Sequence, residues 1–107
     1  MRILLDENLP SKLKFDFPSD FEVKTVKDMG WKGKQNGELL RLIDSTGFDL
    51  FITLDKNLRH QQNLERYSFR FILLVAFDNK HQTLQPLVAK IQDVLKMNEL
   101  PKFNEIS

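Results

Sequence analysis

Apolar residues arrive in short uninterrupted runs along this chain, and the three strongest runs each stop at an acid. Ile3-Leu4-Leu5 is followed by Asp6-Glu7, Leu50-Phe51-Ile52-Thr53-Leu54 by Asp55, and the run from Phe69 to Phe77 (FRFILLVAF) by Asp78. Runs of this length, rich in branched and aromatic residues, read as strands buried on both faces. A fourth segment, FEVKTV, carries Phe21, Val23 and Val26 and predicts another strand. Between the strands the apolar spacing becomes helical. Leu9 and Leu13 share a face in a helix predicted from Asn8 to about Phe15, with Asn8 as its cap and Pro10 in its first turn. Leu39, Leu40, Leu42 and Ile43 predict a helix over 38–45 that Gly47 closes. A short polar helix is predicted over 57–66. The last helix starts at a Thr83 cap and carries the stripe Leu84, Leu87, Val88, Ile91, Val94 and Leu95. Pro101 bars its continuation, and the tail 101–107 is expected either to fray or to add an edge strand.

Strands and helices alternating in this way define an α/β protein. The expected architecture is a three-layer α/β/α sandwich around a small, mainly parallel four-stranded sheet, with right-handed crossovers. A length of 107 residues fits one domain over 1–107, and no linker or repeat divides it. Asp28 to Asn36 (DMGWKGKQN) is the one clear loop.

Charge narrows the functional classes. Lys and Arg number 16 against 15 Asp and Glu, so no global cationic field marks the chain as a nucleic-acid binder, and any such site must be local. Cysteine is absent, which excludes disulfides, thiolate metal sites and cysteine nucleophiles. Asp6 and Glu7 interrupt the N-terminal apolar run too early for a signal peptide. No run approaches the roughly 18 apolar residues of a membrane span. A cytoplasmic protein without a membrane partner is the expectation.

The candidate chemistry follows from where the acids fall. In a parallel sheet with covering helices, ligands bind outside the carboxyl ends of the strands. Asp6 and Glu7, Asp55 and Asp78 all follow strands, and Glu38 lies in the first turn of the helix leading to the third strand, on that same rim. Neighbouring strands are about 4.8 Å apart, so carboxylates from adjacent strand ends can share one cation at roughly 2.1 Å. All-oxygen ligation selects Mg²⁺ or Mn²⁺, and phosphoryl chemistry is what such a site serves. Singly, each acid has a structural role: Asp6 and Asp55 as caps, Glu38 as a complement to a helix dipole. Together, Asp6, Glu38 and Asp55 point to a metal site, with Asn57 and Asp78 as further ligand candidates and Glu7 as a supporting residue.

The basic residues sort by position. Lys56 and Arg59 follow Asp55 directly, and Lys32 and Lys34 flank Trp31 and Gly33 in the loop. Phosphate-positioning cations beside a stacking aromatic suit single-stranded RNA, against the plainer reading of solvated lysines and a Trp31 that plugs the core. His60 and His81 read as surface residues, neither with a partner suited to a histidine-based mechanism.

The blocks LLDENLP, DMGWKGKQNGELL and FITLDKNL together resemble the PIN-like domain family of predicted ribonucleases, akin to VapC-type toxins of bacterial toxin–antitoxin pairs. The resemblance runs from Arg2 to about Leu95. It implies metal-dependent cleavage of RNA phosphodiesters by an acidic cluster, carried over onto Asp6, Glu38 and Asp55. It also implies a small cognate antitoxin covering the site, and a homodimer, since many members dimerise. Two positions depart from the family pattern: Asn57 stands where the TLDKDF-like motif has its second Asp, and Asn36-Gly37 precede Glu38 where an acid is frequent. The alternative is therefore a non-catalytic RNA- or protein-binding module with a degenerate site. A receiver-like phosphoacceptor domain ranks lower, because it requires five βα units and a Lys-Pro after the fifth strand, and the sequence shows four units and no Lys-Pro.

Overall fold

The computed structural model describes all residues 1–107. Its strands are β1 (Arg2–Leu5), β2 (Glu22–Thr25), β3 (Leu50–Thr53), β4 (Arg70–Leu74) and β5 (Phe103–Ile106). Its helices are α1 (Asn36–Thr46), α2 (Leu58–Gln61) and α3 (His81–Leu95), with 3-10 helices over Ser11–Asp16 and Leu64–Arg66. The sheet is five-stranded with the order β2-β1-β3-β4-β5, and every neighbouring pair is parallel.

The sheet thus has five strands where the sequence predicts four. Of the two expectations for the tail the edge strand holds: β5 lies at the sheet edge beside β4, and Ile106 pairs with Leu74 and is buried. This strand order is also that of flavodoxin-type and receiver folds, but no helix follows β5, so the chain still has four βα units. The absence of a Lys-Pro is unaffected.

Alternation along the strands explains the layers. Ile3 and Leu5 point to one face and Leu4 to the other, as successive strand residues must. The first face joins Leu50, Ile52, Ile72 and Leu74 to Leu13 of the Ser11–Asp16 helix and to Leu84, Val88 and Ile91 of α3. The second joins Leu4, Phe51 and Phe71 to Leu39, Leu40 and Ile43 of α1 and Leu58 of α2. Burying such aliphatic side chains stabilises the fold by about 1.5–3 kcal/mol each. Gly47 closes α1 at φ 84°, a left-handed conformation that favours glycine, and its N–H reaches the Asp44 carbonyl.

Several boundaries differ from the sequence expectation. The first helix begins at Ser11 rather than Asn8 and is of 3-10 type, because the Asn8 side chain is engaged with β3 instead of capping. The 57–66 helix is broken after Gln61 and resumes as a 3-10 turn at Leu64. The fourth strand ends at Leu74, leaving Asp78 in the loop beyond it, and α3 starts at His81 with Lys80 at its cap position rather than Thr83. No helix is long and apolar enough to cross a membrane.

Candidate functional site

The strand order reverses at β1. The chain steps from β1 outward to β2, then crosses over to β3 on the other side of β1. The crevice at the carboxyl ends of β1 and β3 is therefore the topological switch point, where open α/β sheets place their ligands. Asp6 and Asp55 are the acids at that point.

Asp6 is held as an extension of β1: its N–H donates to the Ile52 carbonyl at 2.9 Å. Its Oδ1 accepts from the Glu7 N–H at 2.8 Å, and its Oδ2 accepts from the Thr53 hydroxyl at 2.6 Å. Thr53 is 1% exposed, a polar residue closing a strand that is otherwise apolar. Its oxygen also accepts from the Asp55 N–H at 3.0 Å and from Asn8 Nδ2 at 3.4 Å. A hydroxyl has one hydrogen to give and two lone pairs to fill. With two N–H donors on the lone pairs, the hydrogen is directed to Asp6.

Asp55 is oriented in its turn. Its Oδ1 accepts from the Asn57 N–H at 3.0 Å, and the Asn36 amide at the start of α1 reaches its Oδ2 at 3.5 Å. Asn8 Oδ1 accepts from the Leu54 N–H at 3.4 Å, fastening the β1 and β3 ends together.

Burial pushes the Asp6 carboxyl above the ordinary aspartate range, and the like charges of Glu7 and Asp55 push the same way against its two hydrogen bonds. The ion pairs of the chain are Arg2–Glu22, Lys14–Asp28, Lys34–Glu38, Arg59–Glu105 and His81–Asp16. None neutralises Asp6, Glu7 or Asp55. A partly desolvated carboxylate with like-charged neighbours is chemically suited to a hard divalent cation such as Mg²⁺ or Mn²⁺, although two carboxylates alone do not enclose one. Asp6 and Asp55 would hold it.

The remaining candidates fall in different places. Glu38 is exposed and pairs with Lys34 at 3.7 Å; it is not drawn in beside Asp6 and Asp55, and no three acidic or histidine side chains group closely enough to enclose an ion. Asp78 serves the start of α3: it accepts from the Lys80 N–H at 3.0 Å and from the Thr83 hydroxyl, and these bonds hold its carboxyl below the usual range. Asn57 is exposed and directs its N–H to Asp55. Lys56 and Asp78 line a small, mostly apolar cavity of about 130 Å³ at the ends of β3 and β4. Arg59 is engaged with β5, pairing with Glu105 at 3.5 Å and lying over the Phe103 ring at 4.7 Å. Trp31 packs edge-on against Phe48 at 6.3 Å, so much of its ring serves the core. Lys32, with Glu7, lines a cleft of about 260 Å³ beside Asp6.

His81 has a structural partner: its Nε2 lies 2.5 Å from Asp16 Oδ2, and Gln85 also donates to Asp16 at 3.1 Å. This pair clamps α3 to the Ser11–Asp16 helix. Sequence reasoning passes over Thr53, Asn8 and Asn36 as site residues. The signal for Thr53 is a hydroxyl residue inside LFITLD, where an apolar strand has no other need of one. No protein-family model, curated protein or solved structure matches this chain.

Proposed function

We propose that this protein is a metal-dependent endoribonuclease of PIN-like type, the toxin of a toxin–antitoxin pair, acting in the cytoplasm with a small antitoxin as partner and as a homodimer. The observation that carries the reading is the Asp6–Thr53–Asp55 unit: two acids from adjacent strand ends at the switch point, one buried hydroxyl bonding the carboxylate of Asp6 and the backbone N–H of Asp55, with no cationic side chain paired to either.

Mg²⁺ or Mn²⁺, when bound, supplies charge stabilisation at a phosphodiester and a water acidified toward neutral pH. Thr53 fixes the Asp6 carboxylate and leaves lone pairs of both Asp6 oxygens directed outward. The Asn57 N–H and the Asn36 amide hold Asp55. Glu38 is the third acid of the proposed cluster and would have to leave its pairing with Lys34 to join it.

The test is paired. Purified protein is expected to cleave RNA with Mn²⁺ or Mg²⁺ and to stop with chelator, and Asp55→Asn is expected to remain folded and inactive. Equal cleavage by wild type and Asp55→Asn would assign the activity to another site.

Two observations favour other readings. The Lys34–Glu38 pair leaves only two acids at the switch point, which suits a non-catalytic RNA- or protein-binding module; that reading takes over if the protein binds RNA but does not cut it. The strand order also suits a receiver-like phosphoacceptor, for which a labile stoichiometric adduct on Asp55 after acetyl phosphate and Mg²⁺ is the diagnostic result.

A further inference from the structure

The rim offers two approaches to Asp6 and Asp55, one over the ends of β1 and β2 and one over the ends of β3 and β4. They differ in charge. On the β3–β4 side Arg59 is tied to Glu105 and Phe103, Lys56 shares its cavity with Asp78, and Val75 and Phe77 are exposed apolar residues. On the β1–β2 side Lys27 and Lys32 line the same cleft as Asp6 and Glu7. Both lysines are exposed, and neither is paired with a carboxylate.

The backbone that carries these lysines is fixed. The Thr25 N–H donates to Asp28 Oδ2 at 2.9 Å, and the Asp28 N–H donates back to the Thr25 hydroxyl at 3.0 Å. Lys14 clamps Asp28 from the Ser11–Asp16 helix at 2.9 Å. The Trp31 N–H donates to the Val26 carbonyl at 3.0 Å, and its ring packs on Phe48. The segment whose composition predicts a loose loop is thus held from Thr25 to Trp31, so less backbone remains to be ordered when its lysines bind beside the acids.

A second depression, of about 620 Å³, lies between the Ser11–Asp16 helix and β2, lined by Lys14, Phe15 and Lys24; Asp28 on its lining is hydrogen-bonded to Thr25 of the first cleft. Phe15 is 76% exposed, with Lys14 Nζ 5.3 Å from its ring centroid. Exposing a whole aromatic ring is unfavourable by the ordinary hydrophobic term, and an exposed ring flanked by cations is the platform on which a single-stranded base stacks.

We propose that single-stranded RNA lies along the β1–β2 side of the rim, with Lys27 and Lys32 holding backbone phosphates next to Asp6 and Phe15 stacking a base beyond them. This rests on the ribonuclease reading above and adds the substrate's path to it. Without the lysines, Asp6 and Glu7 repel the phosphates that must approach them; with them, the charge of the cleft is balanced.

The experiment measures binding of a short dye-labelled oligouridine by fluorescence anisotropy over a salt series with Mg²⁺, in the Asp55→Asn chain so that the RNA stays intact. Lys27→Ala/Lys32→Ala is expected to weaken binding at least tenfold and to flatten the log–log salt slope by about 1.4, at roughly 0.7 for each single-strand phosphate that is no longer neutralised. Phe15→Ala is expected to weaken binding about tenfold with little change in that slope. Lys27→Arg/Lys32→Arg restores binding, and Phe77→Ala/Lys80→Ala leaves it unchanged. In the chain with Asp55 intact, the lysine variant raises KM about tenfold at constant kcat. An unchanged slope in the double-lysine variant, or a larger loss from Lys56→Ala than from that variant, overturns the path while leaving the ribonuclease reading standing. Absence of both RNA binding and cleavage in the wild type sinks both.

Discussion

Thr53 Oγ1 lies 2.6 Å from Asp6 Oδ2, and the same oxygen receives the Asp55 N–H at 3.0 Å, so one buried hydroxyl sets the carboxylate of one strand end and the backbone of the next. The predicted consequence is a coupled loss. Thr53→Val keeps the shape but removes a donor to a partly buried carboxylate and an acceptor for an N–H. It is expected to lower stability by about 1–3 kcal/mol in urea unfolding and to weaken Mn²⁺ binding in the same protein. Thr53→Ser, which keeps the hydroxyl, is expected to retain the metal affinity. Normal Mn²⁺ affinity in folded Thr53→Val would show that the bridge is structural only.

The two best-defined aspartates titrate in opposite senses. Burial holds the Asp6 carboxyl above the ordinary range, so between its unfolded and folded pKa values the native state binds the extra proton. Stability from this group then falls as pH rises from about 3.9, the unfolded value, toward the folded pKa. Asp28 is lowered, first by the Lys14 hydrogen bond and then by the Thr25 N–H, so its contribution is present above the unfolded value and is lost as pH falls through its folded pKa. Carboxyl-carbon NMR titration checks both: Asp6 is expected to titrate above the random-coil aspartate value and Asp28 below it. Added Mg²⁺ is expected to bring the Asp6 midpoint down, because the cation favours the charged form.

Glu38 separates the metal reading from the plain one. As a half-exposed partner of Lys34 it contributes at most about 0.5 kcal/mol to the helix, so Glu38→Gln is expected to leave Tm almost unchanged. If Glu38 turns in as the third acid of the cluster, the same variant lowers metal-dependent cleavage at least tenfold, and Lys34→Met, which frees it, strengthens Mn²⁺ binding. Full cleavage by Glu38→Gln would confine the working acids to Asp6 and Asp55.

The parts of this protein that are legible in sequence are those set by runs of apolar residues. LLD and LFITLD predict two central strands and the acids behind them, because a strand buried on both faces must be apolar throughout and its polar neighbour must lie on the rim. Gly47 marks the end of α1 because the left-handed turn there suits a residue without Cβ. What is not legible depends on side chains meeting across the chain. Asn8 has the composition of a helix cap, yet its amide is used between β1 and β3. Arg59 follows Asp55 in sequence but is drawn to β5, where it pairs with Glu105 and lies over Phe103. Asp78 ends an apolar run as the strand-end acids do, but its strand stops at Leu74 and its carboxylate serves α3.

The tail supplies the last prediction. KFNEIS carries too few apolar residues to decide between fraying and an edge strand, and pairing with β4 decides it: Phe103 to Ile106 lie beside Phe71 to Leu74 in parallel register. Ile106 is 5% exposed and packs into the face covered by α3, while Lys90 of that helix holds the Ser107 carbonyl at 2.6 Å. An edge strand with one buried anchor is sensitive at that anchor. Ile106→Ala is expected to destabilise the protein by about 2–4 kcal/mol, the range for emptying a buried aliphatic site, whereas Asn104→Ala, a partly exposed edge residue, is expected to cost about 1 kcal/mol for its hydrogen bonds. Urea midpoints at constant m-value measure both. Hydrogen exchange at Val75, whose N–H donates to the Ile106 carbonyl at 2.8 Å, is expected to accelerate in Ile106→Ala ahead of amides in β1 and β3. Stability indifferent to Ile106→Ala would mean that the tail is not part of the sheet in solution.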